Sequence, residues 1–88
     1  MSVRGELTRS ANLLLAFLAE QHPGSTKLEA AIAKARDSAK EDISQGAEEV
    51  LALEASGALS LPMPAEAAEE QEERLSHLLS IAHVILGR

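Results

Sequence analysis

Three histidines are the side chains of this sequence best suited to proton transfer or metal binding. His77 and His83 are six residues apart, which places them about 120° apart around a helix of 3.6 residues per turn. They therefore cannot bind one ion from the same helix. Glu73 and His77 are four residues apart and share a helix face, but a metal site would need further ligands from another helix or chain. We therefore expect a surface pair, with no metal and no cofactor.

The residue types of this chain give no better support for nucleophilic catalysis. The chain has no cysteine, which excludes disulfides, thiolate metal sites and thiol catalysis. Serines are frequent, but no ordered Ser, His and acid set is present for an all-helical chain to bring together. The five glycines are scattered and form no phosphate-binding loop. We assign no residue to catalysis or cofactor binding and expect a protein that is not an enzyme.

The charge of the chain limits its partners. The 88 residues carry a formal net charge of −6, and no basic stripe is present, so nucleic-acid binding is not expected. No stretch approaches the roughly 20 apolar residues that a membrane span requires. The absence of cysteine fits a reducing compartment. We expect a cytoplasmic protein that binds neither nucleic acid nor membrane.

The periodicity of apolar residues predicts one all-α domain over residues 1–88. Its helices are expected at about 3–21, 26–56 and 64–86, with the middle one longest. A Thr26–Glu29 pair predicts a capping box at the start of the middle helix.

A stripe of eight residues runs along the predicted middle helix. It consists of Leu28, Ile32, Ala35, Ala39, Ile43, Gly46, Val50 and Leu53. Its central members are small, so another helix could approach closely there. Glycine weakens a helix interior, so a break or kink at 42–46 is the alternative to one continuous helix.

The last predicted helix has two unlike halves. Gly57 suits the end of the middle helix, and Pro64 suits the first position of the last one. The acidic run at 66–73 is either a solvated half favoured by the helix dipole or a docking site for a basic partner or cations. The following half is apolar, with Ile81 and Val84 beside its main face, which is more surface than one neighbouring helix can cover. It is either an intramolecular core or an interface.

Composition suggests self-association. Of the 88 residues 45% are hydrophobic, but sixteen are Ala and Phe17 is the only aromatic residue. Small domains bury little apolar area, and subunits can share burial. We therefore expect a homodimer, in which two chains form a helical bundle around paired middle helices. The predicted interface residues are Ala35, Ala39, Gly46, Val50, Leu53, Leu75, Leu78, Leu79, Ala82 and Ile85.

These features favour a small non-catalytic protein-interaction, assembly or regulatory module. It would act through self-association and an apolar helix face, with a protein as its partner. The alternative is a small helical enzyme or metal-binding bundle whose site forms across a dimer interface. A dry apolar groove would favour the first function, and a polar pocket of converging His and Glu would favour the second.

Overall fold

Within the part of the chain that the structure describes, the fold consists of four α-helices. The computed structural model describes residues 2–58 and 65–88, and this part of the chain contains no strand. The helices are α1 Val3–Gln21, α2 Thr26–Glu41, α3 Ile43–Ala55 and α4 Ala65–Leu86. The all-α prediction is confirmed. The prediction of three helices is wrong, because the expected middle helix is two helices. The expectation for Pro64 lies outside the described residues.

Asp42 divides the predicted middle helix. Its backbone is extended, with φ −146° and ψ 107°. Its carboxylate Oδ1 accepts hydrogen bonds from the backbone N–H of Ser44 at 3.0 Å and of Gln45 at 3.4 Å. An Asp side chain that accepts from the first turn is a strong N-cap, so α3 begins anew at this point. Gly46 is not the point of the break and lies inside α3.

The start of α2 also differs from the prediction. The N-cap residue is Ser25, whose side chain makes no capping hydrogen bond, and Thr26 is already helical. The predicted capping box between Thr26 and Glu29 is therefore wrong. Gly57 does end its helix as expected, with a φ of +78° that side-chain-bearing residues rarely adopt.

The four helices form a closed ring in which each helix packs against two neighbours. Helix α1 contacts α2 and α4, and α3 contacts the same two helices. Short connections between sequence neighbours produce the up-and-down order of a four-helix bundle. The core is made of these buried residues: Leu7, Ala11, Leu14, Leu18, Leu28, Ile32, Ala35, Ala39, Ala47, Val50, Leu75, Leu78 and Ala82. One chain thus encloses its own core, and the expected dimer remains a prediction.

The small residues of the predicted stripe lie where α3 folds back onto α2. A Cβ atom placed on Gly46 would lie 2.5 Å from the Cβ of Ala39 and 2.9 Å from the carbonyl oxygen of Ala35. Real Cβ atoms do not approach their neighbours so closely, so there is no room for a side chain at residue 46 where α3 packs against α2. The close approach that the stripe suggested therefore occurs between two helices of one chain.

Candidate interaction surface

The predicted interface residues fall into two groups in the structure. Seven are buried within the chain, namely Ala35, Ala39, Gly46, Val50, Leu75, Leu78 and Ala82. Three remain partly exposed, namely Leu53, Leu79 and Ile85. The buried group packs in the core formed by helices of its own chain. That these residues also form contacts between subunits remains a prediction, and the fold of one chain is complete without such contacts.

The exposed apolar surface lies mainly on α1 and α4. The described part of the chain has three large apolar side chains that are well exposed: Val84 at 73%, Leu13 at 47% and Val3 at 46%. Residues 3, 6, 10 and 13 follow one another at helical spacing along α1, and each lines a depression shared with residues of α4. Residues 77, 81 and 84 do the same along α4. The two rows place all three exposed side chains along one seam.

One end of this seam is a shallow groove of about 240 Å³, here called the apolar groove. It is lined by Val3, Glu6, His77, Ser80, Ile81 and Val84. The amino end of α1 and the carboxyl end of α4 meet there because the two helices run antiparallel. The sequence pattern had placed Ile81 and Val84 beside the main apolar face of α4, and Val84 is the more exposed of the two.

The other end of the seam is a larger and more polar depression of about 690 Å³, here called the acidic trough. Its lining residues are Ser10, Leu13, Glu69, Glu70, Glu73, Arg74 and His77. His77 lines both depressions, so the apolar groove and the acidic trough form one continuous surface. We refer to this surface as the α1/α4 face.

Arg74 contacts two residues of its own chain. Its Nη2 donates to Glu70 Oε1 at 3.0 Å, and its guanidinium carbon lies 5.7 Å from the centre of the Phe17 ring. The ion pair with Arg74 neutralises the carboxylate of Glu70, one of the three glutamates of the acidic trough. Among the described residues neither Glu69 nor Glu73 makes an ion pair. The acidic trough therefore presents unneutralised negative charge.

Gln71 is a buried polar residue that the sequence pattern did not single out. It is fully buried, and neither its Oε1 nor its Nε2 has a hydrogen-bond partner within the described residues. A signal was present in the sequence, because residues 71, 75, 78 and 82 follow the spacing of a buried helix face. Gln71 thus continues the core stripe of α4 with an amide in place of an apolar side chain.

The three histidines lie in different surroundings. His22 makes an edge-on contact with the Phe17 ring, with centroids 6.0 Å apart. His77 lines the α1/α4 face, and His83 Nδ1 donates to the carbonyl oxygen of Arg88 at 2.7 Å. Across the described ranges, no three His, Asp or Glu side chains are placed to hold a metal ion. Glu73 and His77, expected from the sequence as a surface pair, both line the acidic trough, but no hydrogen bond or ion pair joins them among the described residues.

The outer surface of α2 carries ordinary surface ion pairs. Arg36 Nε donates to Asp37 Oδ1 at 3.1 Å, and Lys40 Nζ lies 3.4 Å from the same oxygen. The hydrogen bond from Arg36 is the main reason why the pKa of Asp37 lies below its usual value. The stabilisation from this pairing is present above the usual Asp pKa and is lost as the pH falls. It is small because Asp37 and Lys40 are exposed to solvent and Arg36 is only partly buried.

Comparisons with protein-family models, curated proteins and solved structures found no match to this chain. No helix in the described parts of the chain is both long enough and apolar enough to cross a membrane.

Proposed function

We propose that this protein is a non-catalytic interaction module whose α1/α4 face binds a helix of another protein. The observation that carries the proposal is that the well-exposed large apolar side chains of the described residues, Val3, Leu13 and Val84, all lie along this one seam. A groove between two neighbouring helices is a common site for an amphipathic helix, which places apolar side chains into it.

The α2/α3 seam lacks these properties. Its groove is lined by Ala31, Lys34, Glu49, Ala52 and Leu53. Alanines and charged residues dominate this surface, and Leu53 is partly buried. Alanine contributes little apolar area to a contact, so a partner bound in this groove would bury little apolar surface. The difference between the two seams favours the α1/α4 face as the docking surface.

A second copy of this chain is the competing occupant, although the homodimer expected from the sequence was built around paired middle helices. Each copy carries a net charge of −6, and a dimer through this face would bring two acidic troughs into one interface. Like charges across an interface oppose association. The closed core also removes the need to share burial between chains. A different protein therefore suits the face better, and self-association remains a testable prediction.

Substitution of Val84 tests the proposed face. Val84→Asn keeps a similar size but removes apolar surface from the apolar groove. Full burial of a valine contributes about 1.5 kcal/mol or more, so binding should weaken roughly tenfold. Ala30→Asn is the control, because residue 30 is exposed on α2 and lies away from the α1/α4 face. Circular dichroism and melting curves should first show that both variants fold like the unaltered protein.

The readout is quantitative co-purification with the three tagged proteins from the native lysate. We expect the same partner to be enriched by the unaltered chain and by Ala30→Asn, and to be lost with Val84→Asn. Equal enrichment by all three proteins would contradict the proposal. Light scattering then identifies the occupant. A mass near 9.3 kDa leaves the face free for another protein, whereas a doubled mass that Val84→Asn restores to 9.3 kDa would place a second copy on it.

A further inference from the structure

We infer that the helix that binds the α1/α4 face is basic and amphipathic, with an apolar anchor in the apolar groove and Lys or Arg side chains over the acidic trough. This inference rests on the proposed function and specifies its partner. It follows from the unequal chemistry of the two ends of the face, which a uniformly apolar helix would not match.

The charges of the acidic trough define one half of the match. Glu70 is paired with Arg74, whereas Glu69 and Glu73 have no ion-pair partner among the described residues. Both of these carboxylates are exposed, so they can reach a docked side chain. Charge-assisted hydrogen bonds from Lys or Arg would satisfy them. A phosphate-bearing ligand would be repelled by the same carboxylates.

The spacing along α4 defines the other half of the match. Glu73 and Val84 are eleven residues apart, which corresponds to about three turns and roughly 16 Å of helix. They lie on nearly the same side of α4, because three turns of 3.6 residues return to the same direction. A partner helix lying along the seam should therefore carry its apolar anchor about three turns away from its basic residues.

Two synthetic helical peptides test this inference directly. Both carry the same leucine pattern over about five turns, and they differ only in having Lys or Glu at the polar positions. Fluorescence anisotropy measures their binding to the unaltered protein at low salt. We expect the Lys peptide to bind and the Glu peptide to bind at least tenfold more weakly. Added salt should weaken the Lys complex, since exposed charges are screened.

Matched double variants identify the carboxylates involved. Glu69→Gln with Glu73→Gln should weaken the Lys peptide by roughly fivefold, as expected for the loss of two exposed ion pairs. Glu41→Gln with Glu54→Gln makes the same change in net charge at exposed positions of α2 and α3, and should leave binding almost unchanged. If both double variants weakened binding equally, net charge alone would explain the effect and the inference would be overturned.

The outcomes separate this inference from the proposed function. Equal binding of both peptides, weakened by Val84→Asn, would overturn the basic partner but leave the apolar docking face in place. Binding of the Lys peptide that Val84→Asn does not weaken would contradict the docking face itself. Failure of the Lys peptide to bind at 100-fold molar excess over micromolar protein would overturn the inference about charge.

Discussion

Gly46 lies directly against the backbone of α2. Gly46→Ala would gain about 1 kcal/mol of helix propensity. The new Cβ would meet the Cα of Ala39 at 2.8 Å and the carbonyl oxygen of Ala35 at 2.9 Å. Backbone atoms cannot rotate away, and overpacking costs about 1–3 kcal/mol. We therefore expect a net loss of stability, measured as a lower midpoint of chemical denaturation.

Gly24→Ala is the matched control for that substitution. Gly24 lies in the turn between α1 and α2, and an added Cβ would meet nothing within 4 Å. The change should be neutral or slightly stabilising, because alanine restricts the unfolded chain. If Gly46→Ala raised the midpoint as much as Gly24→Ala, the close contact between α2 and α3 would be refuted.

Gln71 places an amide in the core without a partner among the described residues. A buried polar group without a hydrogen bond costs about 1–3 kcal/mol, and leucine has a similar volume. Gln71→Leu should therefore stabilise the protein by about that amount. The measurement is the free energy of unfolding in urea. A loss of stability would instead mean that the amide has a bonding partner in solution.

Gln45→Leu provides the comparison at an exposed position of α3. It makes the same chemical change without removing a buried polar group, so its effect should stay within about 0.5 kcal/mol. If Gln45→Leu stabilised the protein as much as Gln71→Leu, both effects would be explained by helix propensity rather than by the removal of a buried amide.

At the level of elements, the corner between α2 and α3 depends on Asp42. Its carboxylate satisfies two backbone N–H groups of α3, and its own N–H bonds to the carbonyl oxygen of Ser38 at 2.9 Å. Asp42→Ala removes the cap but keeps the backbone bond. Loss of an N-cap side chain costs about 0.5–2 kcal/mol. We expect a corresponding fall in the denaturation midpoint.

Asp42→Asn separates capping from charge. Asparagine caps helices about as well as aspartate, so this variant should retain most of the stability that Asp42→Ala loses. If both variants were equally destabilised, the negative charge at the start of α3 would matter more than the two hydrogen bonds.

At the level of the whole molecule, the corner at Asp42 decides the shape. A continuous helix over residues 26–56 would be about 46 Å long. The folded molecule measures 33 × 23 × 21 Å. Folding α3 back onto α2 supplies the second pair of helices that closes the bundle. Among the described residues, the α1/α4 face is then the surface that carries the well-exposed large apolar side chains.

Metal removal is a test of the whole bundle. The described residues bring no three metal-binding side chains together, so a chelator should leave helicity and melting temperature unchanged. Circular dichroism before and after dialysis against chelator measures both. A fall of several degrees, reversed by one added metal, would favour the alternative function of a metal-binding bundle and would direct attention to Glu73 and His77.

The sequence alone was sufficient for the helical class, the bounds of α1 and the carboxyl end of α4. Apolar residues at steps of three and four mark a helix wherever its neighbours lie, and Pro23 and Gly24 stop the first helix locally. The same spacing places Val84 beside the main apolar face of α4, without deciding whether that face is a core or an interface. These features depend on interactions within a few residues of chain.

Only the tertiary structure decided which surfaces meet. The stripe through Ala35, Ala39 and Gly46 is equally compatible with a helix of the same chain or of another chain, because periodicity identifies an apolar face but not what covers it. The helix breaks at Asp42 rather than at Gly46 because of local hydrogen bonding. The break nevertheless determines how distant parts of the chain pack together. Once α3 packs against α2, the core closes within one chain, and the apolar groove and the acidic trough come together between α1 and α4.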